Sequence, residues 1–167
     1  ETTFKSDSDD FNTNNLGLYE VESEDNIISF TPYWVLDGEF IIVIEARRTA
    51  ATRYGFDIIL GPGGTYNCQI RYENENDICF YSNYQTWSIP DDNTCITLPD
   101  DIDTLNTIIL YNNNKGLQVY QNNEFVGRVN KSLAVFVDRI GGWFSSSFRY
   151  PADIALRSIM LATNVSL

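Results

Sequence analysis

Histidine is absent from the 167 residues of this chain. Without an imidazole, the protein cannot build Ser-His-Asp or Cys-His nucleophile systems, and it lacks the ligand on which most zinc and iron sites depend. Catalysis would have to use other groups, such as the paired carboxylates of glycoside hydrolysis. Glu39, Glu45 and Asp57 fall on predicted strands that are candidates for neighbours, but no spacing lines alternate carboxylates along one strand face. We therefore expect no enzyme activity, and glycoside hydrolase is the only enzyme class left open.

Long apolar runs and basic residues are also scarce. The longest apolar run, Phe40–Ile44, is the length of a strand and far below the roughly 20 residues that span a bilayer. We therefore expect no membrane insertion. The 11 basic residues are outnumbered by 23 acidic ones, and the resulting net charge of −12 repels phosphate backbones. Nucleic acid is for that reason not an expected partner.

The acidic residues raise the question of calcium, a hard cation that takes roughly six to eight oxygen ligands. Candidate oxygen ligands lie in three acidic segments, Asp7–Asp10 with the nearby Asn12 and Asn14, Asp91–Asp92, and Asp100–Asp103. None of them carries the glycine and the ligand spacing of a calcium loop. We expect no cofactor and a solvated acidic surface, with calcium binding as the alternative.

Three cysteines, Cys68, Cys79 and Cys95, leave one thiol over if a disulfide forms. Cys79 and Cys95 flank an aromatic segment, whereas Cys68 and Cys79 lie on predicted adjacent strands. Either pair can form the disulfide, and three free buried thiols are a third arrangement. The sequence leaves these alternatives open, and the cysteines show no metal-ligand spacing.

The chain alternates apolar and polar residues with the period of a β-strand. In one predicted strand, Cys68, Ile70 and Tyr72 face one side of the sheet, and Gln69 and Arg71 face the other. Phe40–Arg47 begins apolar on both faces, which is typical of a strand in the middle of a sheet. Asn122 and Asn123 separate two predicted strands and tolerate the left-handed backbone of a tight hairpin.

About ten short strands separated by Gly, Asn, Asp and Pro turns predict an all-β, two-sheet antiparallel β-sandwich. We predict a single sandwich domain over residues 11–167, preceded by a polar N-terminal arm over residues 1–10. The predicted strands that follow those named above are Ile78–Tyr81, Thr107–Tyr111, Leu117–Gln121, Glu124–Val129, Ile140–Phe144 and Asp153–Leu161.

The order of these motifs resembles a known family. The segments that carry the resemblance are Asp10–Phe11, Asn15–Tyr19, Asp37–Phe40, Ile44–Arg48, Tyr54–Ile58, Asn106–Tyr111, Gly116–Gly127, Arg139–Gly142 and Asp153–Leu156. They are similar to the laminin-G-like, concanavalin A-like jelly-roll domains of bacterial surface and secreted proteins, which are related to a keto-disaccharide hydrolase-like domain. The resemblance implies a concanavalin A-like jelly roll in a secreted, extracellular protein. Asn123 stands where the family's hairpin usually has glycine, and the matched motifs are structural rather than catalytic.

Tyr81, Tyr84 and Trp87 form the most suggestive cluster for function, with Arg71 on the polar face of a nearby strand. Sugars stack their C–H faces on aromatic rings, and polar side chains beside the rings bind the hydroxyl groups. The alternative is that these rings anchor the loop or fill the core. We predict a non-catalytic extracellular module that binds a glycan or a protein at the cell surface. Homo-oligomeric assembly as a structural or adhesive subunit, through an edge strand or the N-terminal arm, is the first alternative. A glycoside-processing enzyme is the second.

Overall fold

The computed structural model describes residues 2–3, 19–21, 27–49, 56–61, 67–73, 76–83, 95–144, 149–151 and 154–164. Every regular element in these ranges is a β-strand, and every strand pair is antiparallel. A helix capable of crossing a membrane is not found in this part of the chain. The prediction of an all-β antiparallel fold is confirmed.

Two large sheets contain most of the strands. The seven-stranded sheet has, in spatial order, β1 (Thr2–Thr3), β15 (Ile154–Thr163), β4 (Phe40–Arg48), β9 (Asn106–Asn113), β10 (Gly116–Gln121) and β11 (Glu124–Val129), with β2 (Tyr19–Val21) also paired to β15. The six-stranded sheet has β3 (Ile28–Leu36), β12 (Val135–Ile140), β5 (Phe56–Leu60), β6 (Asn67–Tyr72), β7 (Asp77–Asn83) and β8 (Cys95–Thr97). A separate two-stranded sheet pairs β13 (Gly142–Phe144) with β14 (Arg149–Pro151).

The core is formed by one cluster of apolar side chains to which both large sheets contribute. Strand β4 contributes Phe40, Ile42 and Ile44, each fully buried. At one margin of the sandwich, edge strands β8 and β11 meet so closely that a Cβ on Gly127 would lie 3.3 Å from Ile96. The sheets thus pack face to face, and β4 buries alternate residues along its length, as the period of two requires.

The predicted central strand and the predicted hairpin are both present. Strand β4 lies between β15 and β9. Asn122 and Asn123 connect β10 to β11 with φ angles of 50° and 70°, and Gln121 pairs with Glu124 across the turn. Two asparagines in the left-handed region match the strand twist of a two-residue hairpin.

The hairpin provides a stability prediction. Asn123→Gly should raise the free energy of unfolding by about 0.5 kcal/mol, because glycine adopts positive φ without steric strain. Asn122→Gly is the matched control. It should lower stability by about 1–2 kcal/mol, because the Asn122 side chain donates to Asp100 and Asn106 and accepts from the Thr107 backbone N–H. Urea denaturation measures both free energies of unfolding. If both variants were stabilised, or both destabilised, the different roles given to Asn122 and Asn123 in the turn would be wrong.

Both ends of the described chain pair within the seven-stranded sheet. Thr2 and Thr3 lie opposite Leu161 and Met160 of β15. The backbone N–H of Asn164, which follows β15, donates to the carbonyl of Glu39 at 2.9 Å. The part of the N-terminal arm seen here therefore pairs with its own chain.

Candidate ligand-binding face

The outer face of the six-stranded sheet carries a row of polar side chains on β6. Ile70 and Tyr72 point into the core and are buried, so the alternating residues Gln69 and Arg71 point outward. The Nη1 group of Arg71 donates to Gln69 Oε1 at 3.4 Å, and Arg71 Nε lies 2.9 Å from Glu73 Oε1. The guanidinium is thus held along the strand between an amide and a carboxylate.

Strand β12 adds a second arginine to the same face. Arg139 lies opposite Leu60, and Leu60 lies opposite Gln69, so Arg139 is two strand spacings, or about 10 Å, from β6. Arg139 Nε is 3.1 Å from Asp138 Oδ2, and burial lowers the pKa of this guanidinium. Two partly buried arginines with carboxylate neighbours give the face hydrogen-bond donors and acceptors. We call Gln69, Arg71, Glu73, Asp138 and Arg139 the polar face.

The disulfide joins Cys79 of β7 to Cys95 of β8 and so decides among the three cysteine arrangements. Their Cα atoms are 4.1 Å apart. Cys79 is also the register partner of Arg71 on the neighbouring strand. Strand β7 continues to Asn83, which lies opposite Asn67, and β8 begins at Cys95, which lies opposite Cys79.

Cys68 is the remaining cysteine, and its free thiol is buried. Its Sγ donates to the carbonyl of Phe136 at 3.0 Å and accepts from the Phe136 N–H at 3.2 Å. Burial raises the pKa of this thiol to about 12. Because the thiolate is the reactive form, Cys68 is unsuited to nucleophilic chemistry.

The structure brings together part of the predicted cluster. Arg71 lies on the polar face, and the backbone of Tyr81 lies in β7 opposite Gln69. Tyr84 and Trp87 lie outside the described residues, so their contribution stays a prediction. Sequence analysis missed Glu73, Asp138 and Arg139. The alternation that marked Arg71 gave no equivalent signal on β12, because a bulge between Val137 and Arg139 breaks the period there.

The predicted carboxylates do not form a catalytic pair. Glu45 lies on β4 and Asp57 on β5, which belong to different sheets, so the expectation of neighbouring strands was wrong. Glu45 is 3.6 Å from Arg157, and Glu39 is exposed just before β4. These three acids are therefore not arranged for two-carboxylate hydrolysis.

The acidic loop Asp100–Asp103 uses its carboxylates within the protein. Asp100 Oδ2 accepts from Asn122 at 2.7 Å, and Asp101 Oδ1 accepts from the Asp103 N–H at 2.9 Å. Arg48 binds both oxygens of Asp103, and this hydrogen bonding lowers the pKa of the Asp103 carboxyl. The described ranges hold no group of three or more His, Cys, Asp or Glu suited to a metal ion. Asp7–Asp10 and Asp91–Asp92 lie outside them.

Comparison with known proteins supports the fold. No family model matches the chain, and no curated protein matches it in sequence. The chain is similar in structure to the carbohydrate recognition domain of Emp46p, with a TM-score of 0.51, 12% identity, and coverage of 84% of this chain and 78% of that one. The galectin LEC-6 of Caenorhabditis elegans gives a TM-score of 0.50 at 12% identity, covering 90% and 99%.

Alginate lyase AlgAT5 of Polysaccharide Lyase family 7 gives a TM-score of 0.45 at 13% identity, covering 78% of this chain. This chain spans 62% of the length of that enzyme, less than two thirds. Identities this low show the fold alone. The fold is a concanavalin A-like jelly-roll sandwich, as predicted, whereas the narrower laminin-G-like resemblance stays a prediction.

Proposed function

We propose that the protein is a non-catalytic extracellular recognition module that binds carbohydrate on the polar face of its six-stranded sheet. The observation that carries the proposal is the position of Arg71. It lies on the outer face between Gln69 and Glu73 and opposite Cys79, on the strand next to the one that precedes the segment bearing Tyr84 and Trp87. A planar guanidinium and an amide supply donors and an acceptor for sugar hydroxyls, and the aromatic residues supply a stacking surface.

The ligand class and the location have separate support. Two of the similar structures are a carbohydrate recognition domain and a galectin, which favours a glycan over a protein ligand. The Cys79–Cys95 disulfide favours an oxidising compartment, since thiols are kept reduced in the cytosol. Secretion or display at a cell surface is therefore part of the proposal.

The absence of catalysis is proposed from the positions of the acidic groups. On the polar face, Glu73 lies beside Arg71 and Asp138 beside Arg139. These ion pairs arrange the carboxylates to orient donors rather than to transfer protons. Incubating the protein with the glycans that it binds and analysing the products tests this step. Turnover that disappears in a Glu73→Gln or Asp138→Asn variant would contradict it.

A glycan array followed by calorimetry on the best ligand tests the binding proposal. Arg71→Ala, Tyr84→Ala and Trp87→Ala should each weaken binding by at least about tenfold, which corresponds to about 1.4 kcal/mol. Each removes either the guanidinium donors or an aromatic surface. Circular dichroism and thermal melting establish that the variants fold.

Arg128→Ala is the matched control. Arg128 is exposed on β11 in the other sheet, and its Nε donates to Asn130 Oδ1 at 2.9 Å. The variant removes the same positive charge from the molecule and should leave binding unchanged. A folded wild type that binds nothing on the array would end the proposal. So would binding that all three site variants retain, or that Arg128→Ala weakens equally.

A further inference from the structure

The edge strand β3 adds exposed side chains to the outer face of the six-stranded sheet, next to the polar face. Tyr33 is 36% exposed and Val35 is 51% exposed. Trp34 packs against the core and Leu36 is buried in it, so the residues that alternate with them lie on the outer side of the sheet. Since the polar face lies on this same side, Tyr33 and Val35 continue it to the margin of the sheet.

The strand register places these side chains beside the arginine of β12. Val35 lies opposite Phe136, and the exposed Ser29 lies opposite Arg139, with a bulge between the two pairs. The ring of Tyr33 contacts that of Phe136, with the centroids 6.1 Å apart and the planes at 62°. Phe136 is 6% exposed, so it supports the Tyr33 ring from below and leaves Tyr33 to present the accessible aromatic surface.

This arrangement has the chemistry that a sugar requires. A tyrosine ring on an open sheet face offers a flat apolar surface to the C–H groups of a sugar. Arg139 and its partner Asp138 are partly exposed on the neighbouring strand and supply donors and an acceptor for hydroxyl groups. The margin at β3 therefore repeats the combination of an aromatic ring and polar groups on which the proposed function depends at Arg71.

We infer that the polar face and Tyr33 form one extended site for a neutral, linear oligosaccharide. This inference rests on the proposed function and specifies its ligand. Strands β12 and β5 lie between β3 and β6, so Tyr33 and Arg71 are three strand spacings apart across the sheet, or about 14 Å. One unit of a linear glycan is about as long as one strand spacing, so a chain that reaches from Arg71 to Tyr33 has about three sugar units.

The charges of the extended site favour a neutral glycan. Arg71 lies beside Glu73, and Arg139 lies beside Asp138, so a carboxylate balances each of these two guanidinium groups. The chain as a whole carries a net charge of −12, which repels an acidic polymer. Polyuronates and sialylated glycans are therefore disfavoured.

Calorimetry on the full chain with glycans of increasing length tests the extended site. The probes are cello-, xylo-, manno- and chito-oligosaccharides, each from the monosaccharide to the hexasaccharide, with mannuronate oligosaccharides as the acidic counterpart. In a neutral series that binds, the dissociation constant should fall at least about tenfold between the disaccharide and the tetrasaccharide. Tyr33→Ala should lose this gain, yet bind the disaccharide within about twofold of the wild type, because the disaccharide occupies the Arg71 end.

Two further variants separate stacking from other effects. Tyr33→Leu keeps an apolar side chain over Phe136 but has no flat ring, and it should lose the gain as Tyr33→Ala does, which provides a second variant should the alanine variant fail to fold. Phe125→Ala is the matched control, because it removes an aromatic ring that is 59% exposed in the other sheet. Its dependence on glycan length should be that of the wild type.

The outcomes distinguish this inference from the proposal on which it rests. If none of the glycans binds, the proposed function fails and the extended site with it. If Arg71→Ala weakens binding but the affinity stops rising at the disaccharide, or if both folded Tyr33 variants bind the tetrasaccharide as the wild type does, the extended site is wrong and the binding proposal stands. Tighter binding of the mannuronate series, or an equal loss in Phe125→Ala, would also overturn the inference.

Discussion

Gly116→Ala should lower the free energy of unfolding by about 3–5 kcal/mol. Gly116 begins β10 with a φ of 131°, a conformation that residues with a side chain rarely adopt. A Cβ there would overlap the Val129 carbonyl oxygen and lie 3.2 Å from the Lys131 nitrogen. Both neighbouring atoms belong to the backbone and cannot rotate away. The start of β10 would therefore have to move away from the end of β11. Backbone strain of about 1–3 kcal/mol and overpacking of similar size together give this effect.

Gly38→Ala separates the two contributions. Gly38 also has a positive φ, of 71°, but nothing lies within 4 Å of the added methyl group. Its substitution should cost only the left-handed strain of about 1–2 kcal/mol. For a chain of this size, Gly116→Ala should lower the melting temperature by about 10 °C. Urea denaturation compares the pair directly, and a Gly116→Ala variant as stable as Gly38→Ala would show that the close approach to Val129 is wrong.

Glu124–Val129 was predicted with the bounds that the structure shows. The sequence pattern is clearest in β6, where the predicted inward row Cys68, Ile70 and Tyr72 is buried and the period of two is uninterrupted. In such strands a register slip would expose the whole apolar row. The pattern of the sequence therefore has to be clear, and it can be identified without the partner strands.

Three strands of the six-stranded sheet, β3, β8 and β12, were missed, and in β3 and β12 the reason is a broken local pattern. Strand β3 contains Pro32, which cannot donate to a ladder and is tolerated because β3 is an edge strand. Strand β12 has a bulge that inserts Asp138, so the residues on either side do not alternate. The same bulge places Arg139 on the polar face. Asp138 and Arg139 could therefore not be predicted as site residues, because their position on the polar face depends on how distant strands pair.

The burial of three polar residues could not be predicted from the sequence either. Asn106, Asn112 and Gln121 are at most 1% exposed, although asparagine and glutamine in a sequence usually indicate surface or turn positions. Their burial is possible because each amide is hydrogen-bonded to backbone groups. The partners of Asn112 and Gln121 lie in loops distant in sequence, whereas Asn106 donates to the nearby carbonyls of Asp101 and Thr104. Asn112 joins β9 to two such segments, at Gly38 and at Ser132–Leu133, and is the subject of the second large prediction.

Asn112→Asp should destabilise the protein by about 3 kcal/mol or more at pH 7. The Asn112 Nδ2 group donates toward the carbonyl of Gly38 at 2.8 Å, Ser132 Oγ at 3.0 Å and the carbonyl of Leu133 at 3.0 Å. Its Oδ1 accepts from the Leu133 N–H at 2.9 Å. Aspartate has the same shape and can still accept from the Leu133 N–H. It replaces the Nδ2 donor with a carboxylate oxygen that faces the Gly38, Ser132 and Leu133 oxygens. A buried charge without a cationic partner is strongly unfavourable.

The sign of the pH dependence follows from the same contacts. Burial and the surrounding oxygens disfavour the charged form, so the pKa of the introduced carboxyl should be higher in the folded chain than its unfolded value of about 3.9. A group with a raised folded pKa destabilises most at high pH, and its penalty disappears below the unfolded pKa. The stability gap between the wild type and Asn112→Asp should therefore narrow as the pH falls from 7 to about 4.

Asn113→Asp supplies the control on the next residue of the same strand. Asn113 is half-buried, and its Oδ1 accepts from the Lys115 N–H at 2.8 Å, an interaction that a carboxylate keeps. Its stability should stay within about 0.5 kcal/mol of the wild type at both pH values. Urea denaturation of both variants at pH 7 and pH 4 distinguishes the outcomes. If Asn112→Asp were as stable as Asn113→Asp at pH 7, or if its deficit grew on acidification, Asn112 could not be the buried donor that ties β9 to the loops at Gly38 and Leu133.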